Sequence, residues 1–334
     1  MSGSGTRYLK VSVAVGTLVV LFGLLIAMRS SIRRQVDVTF RPAHRSGSAV
    51  FSGVTSTGLN IFSLDLTRGT VRQLTWSLRN ERQPSLSWDD QWLVVAAMDP
   101  YVADTGKTPY RLFVMRPDGS TPRQLTFGDQ VNDQYPAFSP DGKTLVFARA
   151  TRTMAFKNGW TDWGIWVAPI TGSAPTRITP GDYGNVSAPS FAPDGSTIVY
   201  SASAKGQGGG MDIFLAAPDA KTRPLRLTTD GHCSSPSFAP DGRSICFISD
   251  RGRAFDYEVW AMDRSGARQR QLTSKGWYLE QPHYTPDGRS ILFLADCDRT
   301  NRFELWQASV DGNNVHRIAG STLFDAPLSW KPGE

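Results

Sequence analysis

Side chains able to do chemistry are few in this chain and poorly spaced for it. There are four histidines, His44, His232, His283 and His316, and no two of them form a close-spaced metal pair. The three cysteines, Cys233, Cys246 and Cys297, are odd in number and suggest no pairing. A G-x-S-x-G nucleophile elbow with a downstream Asp and His is absent. Any metal centre would have to be gathered from distant parts of the fold, so the elements that position these side chains come next.

Those elements repeat. A four-residue turn reads SPDG at Ser139–Gly142, APDG at Ala192–Gly195 and Ala239–Gly242, and TPDG at Thr285–Gly288, with a degenerate SWDD at Ser87–Asp90. Asp89, Asp141, Asp194, Asp241 and Asp287 follow one another at 52, 53, 47 and 46 residues, a period that means stacked supersecondary units. Within a unit, a short apolar stretch meets the turn and a β-rich run follows, as in Ser244–Ser249. A second run carries a central aromatic, and a last short run ends in RQLT or a close variant, as at Arg270–Thr273. Proline presets φ at the second turn position and Gly takes the left-handed one, which is hairpin chemistry. No amphipathic helical stretch competes with it.

The central aromatics are Phe62, Phe113, Trp166, Phe214, Trp260 and Trp306. Equivalent positions in separate units do not converge on one ligand, so these residues are predicted to pack between neighbouring sheets. The RQLT-like ends also occur six times, the last as the weaker Arg317–Ala319. The fold class predicted is all-β, a six-bladed β-propeller of four-stranded antiparallel blades. The first unit opens on its second strand near Ser48–Ser52, and Ala326–Trp330 at the far end is predicted to supply the missing strand and close the ring. An axial metal would need convergent ligands. The residues three before each first-strand proline are Glu81, Asp133, Val186, Cys233, Leu279 and Phe324, and only two of these are carboxylates. Neither a catalytic set, nor a metal site, nor a cofactor is predicted.

The PSxSPDGxxIxF core followed by a strand and a terminal RQLT resembles the repeat of the TolB β-propeller family, and the resemblance covers all six units. It implies a bacterial periplasmic propeller. It implies no single activity, because the same repeat serves periplasmic docking proteins, polysaccharide lyases and the non-catalytic half of prolyl-oligopeptidase-type enzymes.

Outside the repeat, Val11–Met28 is an uncharged run of 18 residues, about 27 Å long as a helix and so close to the hydrocarbon thickness of a bilayer. It ends without the small-x-small site of a cleaved signal peptide. The sequence therefore divides into a tail at 1–10, a transmembrane helix at 11–28, a basic linker at 29–47 and the propeller at 48–334. Ser12, Gly16, Gly23 and Ala27 share one face of the helix, where small residues permit close helix packing. Residues 1–47 hold seven Lys/Arg and one acid, while 29 basic and 29 acidic residues cancel over 48–334. The net charge of +6 thus flanks the apolar run, where anionic headgroups would meet it, and nucleic acid is not an expected partner.

In four-stranded blades the first and third turns share one face of the disc, and the second loops and the blade crossovers share the other. The second loops are long and unlike one another, which marks a contact surface. Met154, Phe156, Trp160 and Trp163 in the loop of the third unit, extended by Tyr101 and Tyr110 one unit earlier, are the predicted partner-binding residues. The function predicted is a non-catalytic, membrane-anchored interaction scaffold. It would be an accessory or stabilising subunit of a respiratory, photosynthetic, transport or Tol–Pal-like envelope assembly, held single-pass in the bacterial inner membrane with the propeller in the periplasm. The rival reading is a glycan- or small-ligand-binding propeller, or a metal-dependent lyase, acting at the central funnel.

Overall fold

The computed structural model describes residues 40–42, 47–56, 58–98, 108–128, 130–153, 160–172, 174–181, 183–204, 210–252, 255–300 and 303–319. Six four-stranded antiparallel sheets follow one another along the chain. The first contains β1 (Phe40–Pro42), β2 (Ser48–Thr55), β3 (Gly58–Asp65) and β4 (Val71–Gln73), and the second β5 (Glu81–Leu86), β6 (Leu93–Met98), β7 (Tyr110–Met115) and β8 (Arg123–Gln124). The third runs through β9 (Asn132–Phe138), β10 (Thr144–Thr153), β11 (Trp160–Pro169) and β12 (Thr176–Arg177). The fourth has β13 (Tyr183–Phe191), β14 (Ile198–Ala204), β15 (Asp212–Ala216) and β16 (Leu225–Arg226). β17 (Cys233–Phe238), β18 (Ser244–Ser249), β19 (Glu258–Asp263) and β20 (Arg270–Gln271) make the fifth. The sixth is β21 (Tyr278–Tyr284), β22 (Ser290–Asp296), β23 (Glu304–Ser309) and β24 (His316–Ala319). Each first strand touches the first strand of the next sheet, and β1 touches β21, so the sheets form a six-bladed propeller.

One element differs from the sequence reading. The first blade takes its first strand from Phe40–Pro42, inside the segment read as linker, with Phe40 opposite Phe51 and Pro42 opposite Ala49. Residues this close in sequence to β2 reach its open edge through a short connection, at less entropic cost than a strand from the far end. The predicted closing strand Ala326–Trp330 lies outside the described residues.

Two devices repeat in the blades. The PDG turn closes on itself: Gly142 N donates to Ser139 O (2.9 Å), Ser139 Oγ to Asp141 Oδ1 (2.6 Å) and Lys143 N to the same oxygen (3.0 Å). Those donors, the Ser139 hydroxyl foremost, hold the Asp141 carboxyl below its ordinary range. The turn glycine needs its left-handed backbone, with φ of 69° at Gly142, and at the degenerate turn Asp90 adopts the same conformation at 57°.

The second device explains RQLT. In the fifth blade Leu272 N donates to Val259 O (2.8 Å), while Val259 N donates to Thr273 Oγ1 (2.9 Å). Ile61, Leu112, Ile165 and Ile213 are gripped in the same way, with Thr75, Thr126, Thr179 and Thr228 supplying the hydroxyl. The Gln of the motif then caps the carbonyl of its own Thr, as Gln271 does at 2.6 Å. In the sixth blade Ala319 stands where the Thr would be.

The core lies between the blades. Phe51, Phe147, Tyr200, Phe247 and Phe293 on the second strands are fully buried, each directly opposite the third-strand aromatic of its own blade. Phe113, Trp166, Phe214, Trp260 and Trp306 pack in clusters drawn from two neighbouring blades, the interblade role read from the sequence.

A Cβ at Gly142 meets nothing within 4 Å, whereas one at Gly119 lies 1.9 Å from Leu74 O. Gly142→Ala should therefore cost only the left-handed backbone, about 1 kcal/mol. Gly119→Ala should cost clearly more because backbone has to move, and urea denaturation of the two variants measures the difference.

Candidate functional site

With β1, the inner strands β5, β9, β13, β17 and β21 line the axis, and the last five share one feature. Each has a bulge at the residue before its proline, where Gln83, Tyr135, Ala188, Ser235 and Gln281 sit at φ of 48–54°. The Tyr135 amide, freed from the ladder by its bulge, is met by Gln83 Oε1 of the neighbouring blade at 2.8 Å. On the turn-bearing face a cavity of ≈ 90 Å³ opens among Ser85, Ser190, Ser237 and His283, where His283 Nδ1 lies 3.0 Å from Ser237 Oγ.

The axial carboxylates Asp133 and Glu81 are both buried, and Glu81 Oε2 has no hydrogen-bond partner among the described residues. Asp133 is fully buried in a two-pronged pair with Arg149, Oδ1 to Nε at 2.6 Å and Oδ2 to Nη2 at 2.8 Å. The guanidinium lies 5.3 Å from the ring centroids of both Phe147 and Trp166. Glu81 is buried, and desolvation raises its pKa against the pull of Thr75, Ser77 and Arg79. Among the described residues no group of three or more His, Cys, Asp or Glu side chains is placed to hold a metal.

The other candidate groups are equally occupied. His232 Nδ1 faces Asp250 Oδ1 at 2.8 Å, and His316 Nδ1 faces Asn314 O at 2.8 Å; His44 lies outside the described residues. Burial pushes the Cys233 thiol up to about 11, although Arg251 Nη2 sits 2.8 Å from its sulfur. Cys246 is driven up by burial as well, and Cys297 reaches about 12 through burial and then the Glu304 carboxylate. None of the three is a thiolate nucleophile at neutral pH.

The predicted partner-binding residues fall differently. Tyr110 is the first residue of β7, buried in the interblade core with the Arg82 guanidinium 4.2 Å from its ring centroid, so it is packing rather than contact surface. Trp160 and Trp163 belong to β11, because β10 and β11 run on for ten residues each and carry their hairpin beyond the blade. Trp163 packs against the core cluster around Ile165 and Ile178, and its indole donates to Trp160 O at 3.2 Å. Arg177 bolts the base of this hairpin, reaching Asp162 Oδ1 at 3.2 Å and Trp163 O at 3.0 Å. Both tryptophans are half-buried. Tyr101, Met154 and Phe156 lie outside the described residues, as do Ser12, Gly16, Gly23 and Ala27 with the whole of Val11–Met28. Among the described residues no helix is long and apolar enough to cross a membrane.

The sequence reading missed the exposed apolar residues on this same face. Trp76 (70 % exposed), Leu78 (56 %) and Phe127 (65 %) sit in blade crossovers, and Phe255 (67 %) sits in the loop between β18 and β19. Their signal was present: Trp76 and Phe127 directly follow RQLT, where Pro180, Thr229 and Ser274 stand in later units.

A family profile described as "TolB beta propeller domain" matches residues 154–334. TolB from Acinetobacter baumannii superposes with a TM-score of 0.62 at 19% identity over 86% of this chain and 64% of that one, so the chain spans less than two thirds of that relative's length. A putative TolB from Agrobacterium tumefaciens gives 0.62 at 20% identity over 83% of this chain and 91% of its own. An oligogalacturonate lyase in complex with manganese gives 0.59 at 17% over 90% and 81%. At these identities the structural likenesses establish the fold alone. No protein of curated function matches the sequence.

If Asp133 is a structural half of an ion pair, Arg149→Leu should destabilise the propeller by about 3–5 kcal/mol by stranding a buried charge. Adding Asp133→Leu should restore most of that loss. Chemical denaturation of the single and double variants checks this, and an unrecovered double variant would contradict the assignment.

Proposed function

The chain belongs to the TolB β-propeller family, and from that premise we propose that it is a non-catalytic interaction scaffold, anchored in a membrane through Val11–Met28 and serving as an accessory subunit of a larger membrane assembly. One observation carries the reading. Asp133, His283 and Cys233 near the axis are tied into hydrogen bonds or ion pairs of the fold, while large apolar side chains stand exposed on the loop-bearing face. A rigid ring with inert polar groups and adhesive loops is built to hold something rather than to convert it.

The bolted β10–β11 hairpin is the part offered to a protein partner, since it projects past its blade from a fixed base. The small-residue stripe Ser12, Gly16, Gly23 and Ala27 supports packing against a partner's helices within the bilayer. The net charge of 1–47 supports placement beside anionic lipid, and the propeller is assigned to the periplasmic side of a bacterial inner membrane on its family membership.

Extraction of the full chain in mild detergent, with crosslinking in native membranes beforehand, tests the proposal. Co-purifying integral-membrane partners are expected, and their yield should fall in a Gly16→Leu, Gly23→Leu variant whose propeller melts at the wild-type temperature. A monodisperse free monomer with no crosslinked partner would overturn the scaffold reading. Stoichiometric manganese, calcium or zinc in the purified protein would point instead to chemistry at the axis.

A further inference from the structure

The exposed aromatics are held out, not left loose. Thr75 O, before Trp76, accepts from Gln73 Nε2 at 2.6 Å, and Ser77 N, after it, donates to Asn60 Oδ1 at 2.7 Å. Phe127 is flanked in the same way, with Thr126 O taking Gln124 Nε2 at 2.9 Å and Gly128 O taking the Arg111 guanidinium. Phe255 has a left-handed backbone, φ 67°, with its amide on Asp250 Oδ2 at 3.1 Å and its carbonyl on Arg299 Nη2 at 3.3 Å. A large apolar ring held in water keeps apolar area that a second surface can cover.

Their placement says what that surface is. Trp76 and Leu78 lie between the first and second blades, Phe127 between the second and third, and Phe255 in the fifth, across the ring. These places are spread around one face of the ring. β1 pairs antiparallel with β2, as every inner strand does with its second strand, so it starts on this same face. The chain therefore enters the propeller at Phe40 through the face that carries the aromatics. Only residues 29–39 separate it from the apolar run, a reach of at most about 40 Å when fully extended. That tether carries Arg29, Arg33 and Arg34, with Arg41 and Arg45 beyond it, a charge suited to anionic headgroups.

We propose that the loop-bearing face of the propeller seats on a lipid bilayer surface, with Trp76, Leu78, Phe127 and Phe255 as its interfacial anchors. Tryptophan and phenylalanine favour the headgroup level, where an apolar ring is sheltered and water remains near. The inference rests on the membrane anchoring proposed above and adds the orientation of the ring upon it.

The test uses the full chain reconstituted in phosphatidylcholine–phosphatidylglycerol vesicles, with a fluorophore placed through Phe127→Cys or, separately, Phe255→Cys. Leu225→Cys is the control, because Leu225 is 59% exposed but lies on the outer strand β16, away from the loop face. The native thiols react poorly: Cys233 and Cys246 are buried, and Cys297 is pushed up to about 12. A phospholipid bearing a nitroxide near its headgroup should quench the labels at 127 and 255 at least about twofold more than the label at 225. Equal quenching at all three positions, in protein that floats with the vesicles, would sink the orientation while leaving the anchor intact. Failure to float would remove the anchor and this inference with it. A label at 127 shielded only in native membranes, and crosslinking there to a protein, would assign the face to a protein occupant instead.

Discussion

The propeller depends on a clamp between one peptide unit of each third strand and the end of the fourth. Ile61, Leu112, Ile165, Ile213 and Val259 each accept from the Leu or Ile of the RQLT-like end and donate to the hydroxyl of its Thr. In the second to fifth blades the fourth strand itself has only two residues, too few to hold by ladder bonds alone. The clamp ends that strand in a buried setting, where an unmatched amide would cost about 1–3 kcal/mol. It also starts the crossover to the next blade at a defined place. Trp76 and Phe127 are the residues immediately after it, so the interaction that keeps the blade whole also fixes where the exposed rings stand.

Polar side chains join blade to blade and strand to strand. Arg264 reaches out of the fifth blade to Asp194, Ser196 and Thr197 of the fourth at 2.7–2.8 Å, and Arg264 beside Asp194 holds that carboxyl far below the usual range. Asp212 gathers Thr228 Oγ1 and Gly231 N and pairs with Arg226. In the core the Asp133–Arg149 pair survives burial because both carboxylate oxygens are met and the guanidinium lies 5.3 Å from two ring centroids.

Much of this was legible in the residues. The PDG spacing counted blades, and the mid-strand aromatics declared an interblade core, because turn chemistry and alternation act over a few residues. Tyr110, Trp160 and Trp163 were misplaced for a reason of length. Aromatics beside a variable loop read as loop, but β7 begins at Tyr110 and β11 at Trp160, and the rings of Tyr110 and Trp163 pack into interblade clusters. Trp76 and Phe127 were overlooked because they abut a repeated motif and were absorbed into it. The first strand was sought at Ala326–Trp330, while the three-residue Phe40–Pro42 carries no alternation from which a strand could be recognised.

Local sequence alone therefore determined the architecture: six repeats, hairpin turns that demand a left-handed residue, a basic apolar-flanked terminus and a neutral ring. Tertiary structure decided which aromatics are buried, which strand completes the first blade, and on which face the chain enters. The physical reason is that a turn or a period is set by neighbours in the chain, whereas exposure is set by what the other blades cover. Only the closed ring brings Trp76, Phe127 and Phe255 to one face together with the start of β1.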